Sequence, residues 1–125
     1  MRNNKKLGTE FEREMCKYLR RKGYWVHFMS PDVSGAQPFD IIAVKDRFPI
    51  VMDCKTAVKP IFPISRLEDN QLMAFELWLK CGNSLPYIAI KHKNQVYLIS
   101  YLMLKERLKV DLREETQCIL EDFWQ

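Results

Sequence analysis

Apolar residues recur along this chain with two different periods, and the period separates helices from strands. Between residues 6 and 22 they return every three or four positions, which predicts an amphipathic helix. These residues are Leu7, Phe11, Met15, Tyr18 and Leu19. Gly23 is expected to end the helix. An aromatic and β-branched run over 24–29 then predicts a strand, and the Pro, Gly, Ser and Asp residues of 30–38 predict a loop.

The middle of the chain predicts a hairpin followed by a second helix. Residues 39–45 and 49–58 are rich in Ile, Val and Met and flank the dipeptide Asp46-Arg47, which favours a tight antiparallel turn. Two prolines then interrupt the pattern. Ser65 is expected to cap a helix that runs to about residue 80, with Glu68 as its capping-box partner.

The C-terminal part predicts another hairpin and a third helix. Residues 87–91 and 95–100 are the two strands, and 101–109 is the helix. The element order α-β-β-β-α-β-β-α indicates an α/β fold with a mixed sheet flanked by helices. We expect one domain over 1–125, with a core at about 7–100 and a C-terminal helix and tail at 101–125.

Composition narrows the possible functions only a little. The chain has 125 residues and a net charge of +4, which permits nucleic-acid binding without demanding it. Its four cysteines form no CxxC pair, so a structural zinc site is not expected. No apolar run is long enough for a signal peptide or a membrane span, so we expect a cytoplasmic protein with no membrane partner.

The most informative residues are charges placed inside apolar strands. Asp40 lies in Phe-Asp-Ile-Ile-Ala-Val, and Asp53 and Lys55 lie in Ile-Val-Met-Asp-Cys-Lys-Thr. Asp is depleted in strands, and charged side chains are almost never fully buried unless they are paired. Both segments look like central strands, so these charges require an explanation.

The hairpin register brings the charges together. If Asp46-Arg47 is a two-residue turn, Asp40 lies directly opposite Asp53, with Cβ atoms roughly 4.5–5.5 Å apart. Lys55 is two residues from Asp53 and shares its face. Two carboxylates this close repel by roughly 3–4 kcal/mol at an effective dielectric of 20.

Such a pair needs a proton or a cation between its members. Mg²⁺ binds to one or two carboxylates together with water and substrate phosphate. Lys55 can then hold or deprotonate an attacking water, which indicates metal-assisted cleavage of a phosphodiester. The alternatives are a buried triad, in which Lys55 merely neutralises the two acids, or a different register.

The ordered motifs resemble those of a known nuclease family. Asp40 followed by Asp53-Cys54-Lys55 resembles the PD-(D/E)xK nuclease pattern, and Gly8-Thr9-Glu10-Phe11-Glu12 is similar to the first helix of archaeal-type and RecU-like Holliday-junction resolvases. Phe62-Pro63-Ile64 and Asn70-Gln71 also resemble RecU-like elements. The resemblance covers roughly residues 7–100 and implies a restriction-endonuclease-like core.

The resemblance also implies roles for individual residues. Asp40 and Asp53 would ligate Mg²⁺ or Mn²⁺, with the Cys54 carbonyl as third ligand and Glu12 completing or supporting the site. Lys55 would activate water, and Ser30 and Gln71 would orient groups around it. The implied substrate is branched DNA such as a four-way junction, cut by a homodimer.

Two departures from the family pattern leave alternatives open. Position 53 is Asp where resolvases usually have Glu, and Pro31-Asp32 is a literal "PD" that offers Asp32 as another ligand. A restriction- or repair-type endonuclease acting on duplex DNA is one alternative function. A catalytically silent DNA- or protein-binding module on the same fold is another.

Basic and apolar residues outside this cluster suggest further contacts. Lys5 and Lys6 in the basic N-terminal segment, and Lys59 and Arg66 beside the proposed site, are the candidates for binding DNA phosphates. The tail carries Ile119, Leu120, Phe123 and Trp124. They can pack on a partner subunit or on the chain's own core, and the first interpretation is slightly favoured.

Overall fold

A computed structural model describes residues 4–29 and 37–125, with side chains for 9–29 and 37–125. The described residues form three helices and seven strands, and two short 3₁₀ turns occur at Ile64–Arg66 and Thr116–Cys118. The other elements are α1 (Asn4–Arg21), β1 (Trp25–Phe28), β2 (Ile41–Lys45), β3 (Phe48–Thr56), β4 (Ile61–Pro63), α2 (Asp69–Lys80), β5 (Tyr87–His92), β6 (Gln95–Ser100), α3 (Tyr101–Arg107) and β7 (Lys109–Asp111).

The main sheet is mixed, as the sequence predicts. Its strand order is β1-β2-β3-β5-β6, in which β3 and β5 are parallel and the other neighbours are antiparallel. Parallel neighbours need a crossover connection, which here contains β4 and α2. The central position of β3 places its charged residues in the interior of the sheet.

The hairpin of β2 and β3 has the predicted register. Asp46 and Arg47 adopt φ values of 51° and 72°, the left-handed conformation of a two-residue type I′ turn. Lys45 pairs with Phe48, and the ladder continues to Ile41 opposite Met52. The predicted hairpin register is thus confirmed over residues 41–45 of β2, and Asp40, directly before Ile41, lies next to Asp53, directly after Met52.

Helices cover both faces of the sheet. On one face α1 buries Phe11 and Met15 against β2 and β3. On the other face Phe75 of α2 and Leu104 of α3 share a core with Ile88 and its neighbours. Leu104 lies in this core, so α3 packs together with α2 and the sheet. Within residues 4–29 and 37–125, no helix is both long and apolar enough to cross a membrane.

Two predictions about local structure are wrong. The strands β4 and β7, which form a separate two-stranded sheet, were not expected, because each has three residues and Pro63 reads as a strand breaker. The second helix begins at Asp69, with Glu68 at its N-cap, and Ser65 lies in the preceding 3₁₀ turn. The Ser65 capping pattern therefore marked the helix about one turn early.

The tail packs on the chain's own core, against the slight preference for a partner subunit. Phe123 is 3% exposed, and its ring lies 6.1 Å from that of Phe11 and 5.3 Å from that of Tyr18. The Leu120 N–H donates a hydrogen bond to the carbonyl of Val96. Trp124 is half-exposed and donates its indole N–H to the Asn94 carbonyl.

Candidate active site

Asp40 precedes β2 but continues its ladder. Its N–H donates to the Met52 carbonyl at 3.1 Å, and its carbonyl accepts from the Met29 N–H at 2.8 Å. Its side chain turns toward β3, where Oδ2 accepts a 2.8 Å hydrogen bond from the Cys54 N–H. Backbone and side-chain hydrogen bonds therefore hold Asp40 beside β3.

Asp53 is fully buried, and neither of its carboxylate oxygens has a hydrogen-bond partner among the described residues. The nearest cation is Lys55, whose Nζ lies 3.5 Å from Oδ2, an ion-pair distance longer than a strong hydrogen bond. Burial raises the pKa of Asp53 well above its usual value, and the Asp40 carboxylate raises it further, while Lys55 acts in the opposite direction. The carboxyl group is therefore protonated at neutral pH unless a cation binds.

Glu12 of α1 belongs to the same electrostatic cluster. Burial raises its pKa to about 7, with a further contribution from Asp40, whereas Lys55 lowers it. A group that responds to both residues must lie close to them. The structure thus brings together the four charged residues predicted for the site: Glu12, Asp40, Asp53 and Lys55.

Cys54 presents its backbone to the site. Burial raises the pKa of its thiol well above the ordinary value, as do the neighbouring Asp40 and Asp53, so the side chain stays protonated. The N–H and C=O of a strand residue lie on the same side of the strand. Because the N–H bonds to Asp40, the carbonyl of Cys54 is also directed toward the Asp40 side.

The donor set fits a hard divalent cation bound partly by solvent. Among the described residues, no three His, Cys, Asp or Glu side chains converge closely enough to hold a metal on their own. Two carboxylates and one carbonyl are nevertheless the kind of set that Mg²⁺ uses together with water and phosphate. The unpartnered Asp53 carboxylate is the observation that favours an ion, because a buried polar atom without a partner is costly.

Gln71 is placed at the third position of α2, where its Oε1 accepts a 2.9 Å hydrogen bond from the Glu68 N–H. This contact is helix capping. The role of Gln71 beside Lys55 stays a prediction.

Of the four residues predicted to contact DNA phosphates, the structure describes the side chains of Lys59 and Arg66. Arg66 is exposed, donates to the Thr56 carbonyl at 3.0 Å and lies over the Phe62 ring, so it is close to the end of β3. Lys59 is exposed in the bend that follows β3. The side chains of Lys5 and Lys6, and all of Ser30 and Asp32, lie outside the described residues.

The sequence pattern assigns no role to His92, yet the structure buries this polar residue at the carboxyl end of β5. Its Nδ1 lies 2.9 Å from the Ala57 carbonyl. Its alternation with the buried Ile88 and Ile90 is the signal that could have placed it inside the protein.

A hairpin that opposes two acids, with a lysine two positions along a central strand and helices on both faces, defines a nuclease of the PD-(D/E)xK class. The comparison with sequence families is more specific. The chain belongs to the archaeal Holliday junction resolvase (Hjc) family, whose model matches residues 3–125.

Relatives agree with this assignment. The chain is 27% identical over 126 residues to the crossover junction endodeoxyribonuclease Hjc of Methanocaldococcus jannaschii, an alignment that covers 100% of this chain and 90% of the relative. The structure of Hjc from Archaeoglobus fulgidus, a Holliday junction resolvase, superposes with a TM-score of 0.62 at 20% identity. That superposition covers 82% of this chain and 85% of the other, and it confirms the α/β fold.

Proposed function

We propose that this protein is a metal-dependent endodeoxyribonuclease that cleaves four-way DNA junctions. The observation that carries the chemistry is the buried, unpartnered carboxylate of Asp53, next to Asp40 and 3.5 Å from the Lys55 ammonium. The family assignment and the name of the Methanocaldococcus relative support junction DNA as the substrate.

Asp40, Asp53 and the Cys54 carbonyl are the groups that would hold Mg²⁺ or Mn²⁺, with Glu12 completing or supporting the set. When bound, the ion supplies Lewis-acid polarisation of the phosphodiester and a lowered pKa for water. Asp40 is oriented in advance by the Cys54 N–H. Asp53 has no such hydrogen bond, so its orientation depends on the cation that it binds.

Lys55 is the proposed water-positioning residue. Its side chain is 17% exposed, so the ammonium can reach substrate while it stays beside Asp53. There it can orient the attacking water and offset the negative charge that develops on the phosphate. Ser30 and Gln71 are proposed to orient groups around it.

The DNA backbone is proposed to approach over the end of β3. Lys59 and Arg66 are exposed there, and Arg66 is anchored to the Thr56 carbonyl next to Lys55. Lys5 and Lys6 at the start of α1 are proposed to contact phosphates as well. Each contact of this kind would make binding more sensitive to salt.

We also propose that the protein acts as a homodimer, because two strands of a junction must be cut symmetrically. The tail is used internally, so another surface is needed. Met73 and Leu77 of α2 are 71% and 62% exposed and form an apolar surface suited to a second copy. Light scattering would test this: Leu77→Glu should yield monomers, whereas Val58→Glu, at an even more exposed apolar position outside α2, should not.

The test of the function is a cleavage assay on a four-way junction, a flap and a linear duplex at matched salt, with and without Mg²⁺. The expected result is metal-dependent cutting that prefers the junction. Asp53→Asn should abolish cutting and keep junction binding, whereas Asp46→Asn at the exposed β2–β3 turn should keep both. Equal cutting of duplex would favour a restriction- or repair-type enzyme, and binding without cutting would indicate a silent module.

A further inference from the structure

A polar pocket of about 360 Å³ lies beyond the carboxyl ends of β3 and β5, outside the cluster of acids. It lies beside the β5–β6 turn, and we call it the β5–β6 pocket. Its polar lining consists of His92, Lys93, Gln95, Tyr97, Arg113 and Thr116. Among the described residues that line it, none is acidic.

Internal hydrogen bonds fix the buried part of this pocket. His92 is 5% exposed, and its Nδ1 donates to the Ala57 carbonyl at 2.9 Å, since a carbonyl can only accept. Tyr97 is 4% exposed and donates its hydroxyl to Oε1 of Gln95 at 3.0 Å. The acceptor end of the Gln95 amide is therefore occupied, and its NH₂ remains available to donate to a ligand.

The remaining polar groups are mainly donors, and two of them are cationic. Lys93 is exposed on the β5–β6 turn. Arg113 is held by Asp111 through two hydrogen bonds, from Nε at 2.9 Å and Nη2 at 2.8 Å, which leave Nη1 unused by that pair. Two cations, an amide NH₂ and the Thr116 hydroxyl suit a small anion that only accepts hydrogen bonds, which describes a phosphodiester.

The pocket is connected directly to the catalytic strand. Ala57, which anchors His92, lies four residues after Asp53, a distance of about 13 Å in extended chain. Pro60 of the same segment also lines the pocket. Since successive nucleotides of a strand advance about 3.4 Å along a duplex axis, this distance corresponds to about four nucleotides.

We propose that the β5–β6 pocket binds a backbone phosphate of the substrate, about two to four nucleotides from the scissile phosphate. The inference rests on the proposed nuclease function, and it adds a phosphate contact to those proposed for Lys59 and Arg66. Its role is to set which phosphate reaches Asp53, because a fixed second contact determines the register of the strand.

Two matched variants test the contact. Lys93 is the first residue of one two-residue turn and Arg47 the second residue of the other, both have positive φ, and the two turns lie at opposite ends of the sheet. Asn tolerates that conformation, so Lys93→Asn and Arg47→Asn remove the same charge with little strain. In an Asp53→Asn background, Lys93→Asn should weaken junction binding several-fold and lower the salt slope by about one. Arg47→Asn should change neither quantity.

A methylphosphonate scan locates the phosphate. Single neutral linkages are placed at one to five nucleotides on each side of the cut, and binding is measured for both Asp53→Asn and Asp53→Asn/Lys93→Asn. At one position the neutral linkage should weaken junction binding by Asp53→Asn. The same linkage should not weaken binding by Asp53→Asn/Lys93→Asn any further. An equal loss of binding affinity in both proteins at every position would overturn the proposal. The proposal would also be overturned if Lys93→Asn weakened junction binding no more than Arg47→Asn does.

Gln95→Glu keeps the side-chain shape and adds a negative charge, so it should weaken binding more than Lys93→Asn if Lys93→Asn acts through this pocket. Unchanged binding by Gln95→Glu would count against the proposal. Metal-dependent cutting by the wild-type protein is measured on the same junction. If the wild type cuts the junction but Lys93→Asn has no specific effect on binding, the pocket proposal alone is refuted. If Lys93→Asn has its specific effect but the wild type does not cut, the nuclease proposal alone is refuted.

Discussion

The Cys54 N–H donates a 2.8 Å hydrogen bond to Oδ2 of Asp40, so the strand that carries Asp53 also orients the acid opposite it. The two acids differ as a result. Asp40 is half-buried and held by this bond, whereas Asp53 is fully buried and accepts no hydrogen bond from the described residues. A cation that enters the site therefore finds one oriented ligand and one buried ligand whose negative charge Lys55 offsets only in part.

This difference predicts that Asp53 destabilises the metal-free fold at neutral pH. Its pKa is raised by burial, so the unfolded chain loses a proton near pH 4 while the folded chain keeps it. The unfolded state thus binds fewer protons, and the free energy of unfolding falls as pH rises from about 4 toward the higher folded pKa. Asp53→Asn removes this penalty.

Thermal unfolding in EDTA would measure the effect. The melting temperature of Asp53→Asn should exceed that of the wild type by a margin that grows with pH, on the order of 5 °C by pH 8. Asp46→Asn, at an exposed turn, should show no such trend. A gap that is constant from pH 4.5 to 8 would show that Asp53 does not carry the raised pKa.

Lys55→Ala is expected to impair catalysis more than binding. Its ammonium lies 3.5 Å from the Asp53 carboxylate, so it is placed to act at the reacting phosphate and not along the DNA backbone. We expect kcat on a junction to fall by roughly 10²–10⁴-fold, while the Kd for the junction changes by only a few-fold. Lys59→Ala, which removes an exposed charge after β3, should change Kd instead. Loss of binding with unchanged kcat would make Lys55 a phosphate-binding residue.

Glu12 should make metal binding depend on pH around neutrality. Its pKa of about 7 means that it gains negative charge between pH 6 and 8, which strengthens attraction for a divalent cation. Mn²⁺ affinity measured by calorimetry should therefore rise over this range, and Glu12→Gln should reduce the rise. Glu14→Gln, on the same helix but paired with Lys91, is the control. Identical pH profiles for wild type and Glu12→Gln would exclude Glu12 from the site.

The tail should contribute to stability within one chain. Phe123→Ala removes a buried ring that contacts Phe11 and Tyr18, so it should lower the free energy of unfolding by about 3 kcal/mol. Trp124→Ala, at a half-exposed position, should cost much less. Chemical denaturation measures both changes, and light scattering should find the oligomeric state of each variant unchanged. If Phe123→Ala caused the protein to dissociate, the tail would instead be part of the subunit interface.

The part of the site that depends on short-range rules was predictable. A two-residue turn at Asp46-Arg47 leaves one register, and that register alone opposes Asp40 to Asp53. The start of α2 was not predictable from caps alone, because Ser65 with Glu68 satisfies the capping-box pattern, whereas the helix uses Glu68 with Gln71.

Contacts between distant parts of the chain account for the other errors. The Pro63 strand forms only because residues 109–111 return to pair with it. The tail likewise finds its place on α1 across a separation of 104 positions, from Tyr18 to Asp122. The periodicity of neighbouring residues therefore does not predict either pairing.

The contacts between α1 and residues 122–123 have a consequence for the order in which the chain can fold. Asp122 binds Tyr18 and Lys22, Arg21 donates to the Phe123 carbonyl, and Phe123 packs on the helix that also bears Glu12. During synthesis α1 leaves the ribosome early and can pack on β1 and β3 once these strands have formed. Its contacts with Asp122 and Phe123 can form only after the last residues of the chain have been made, so the covering of α1 is completed last.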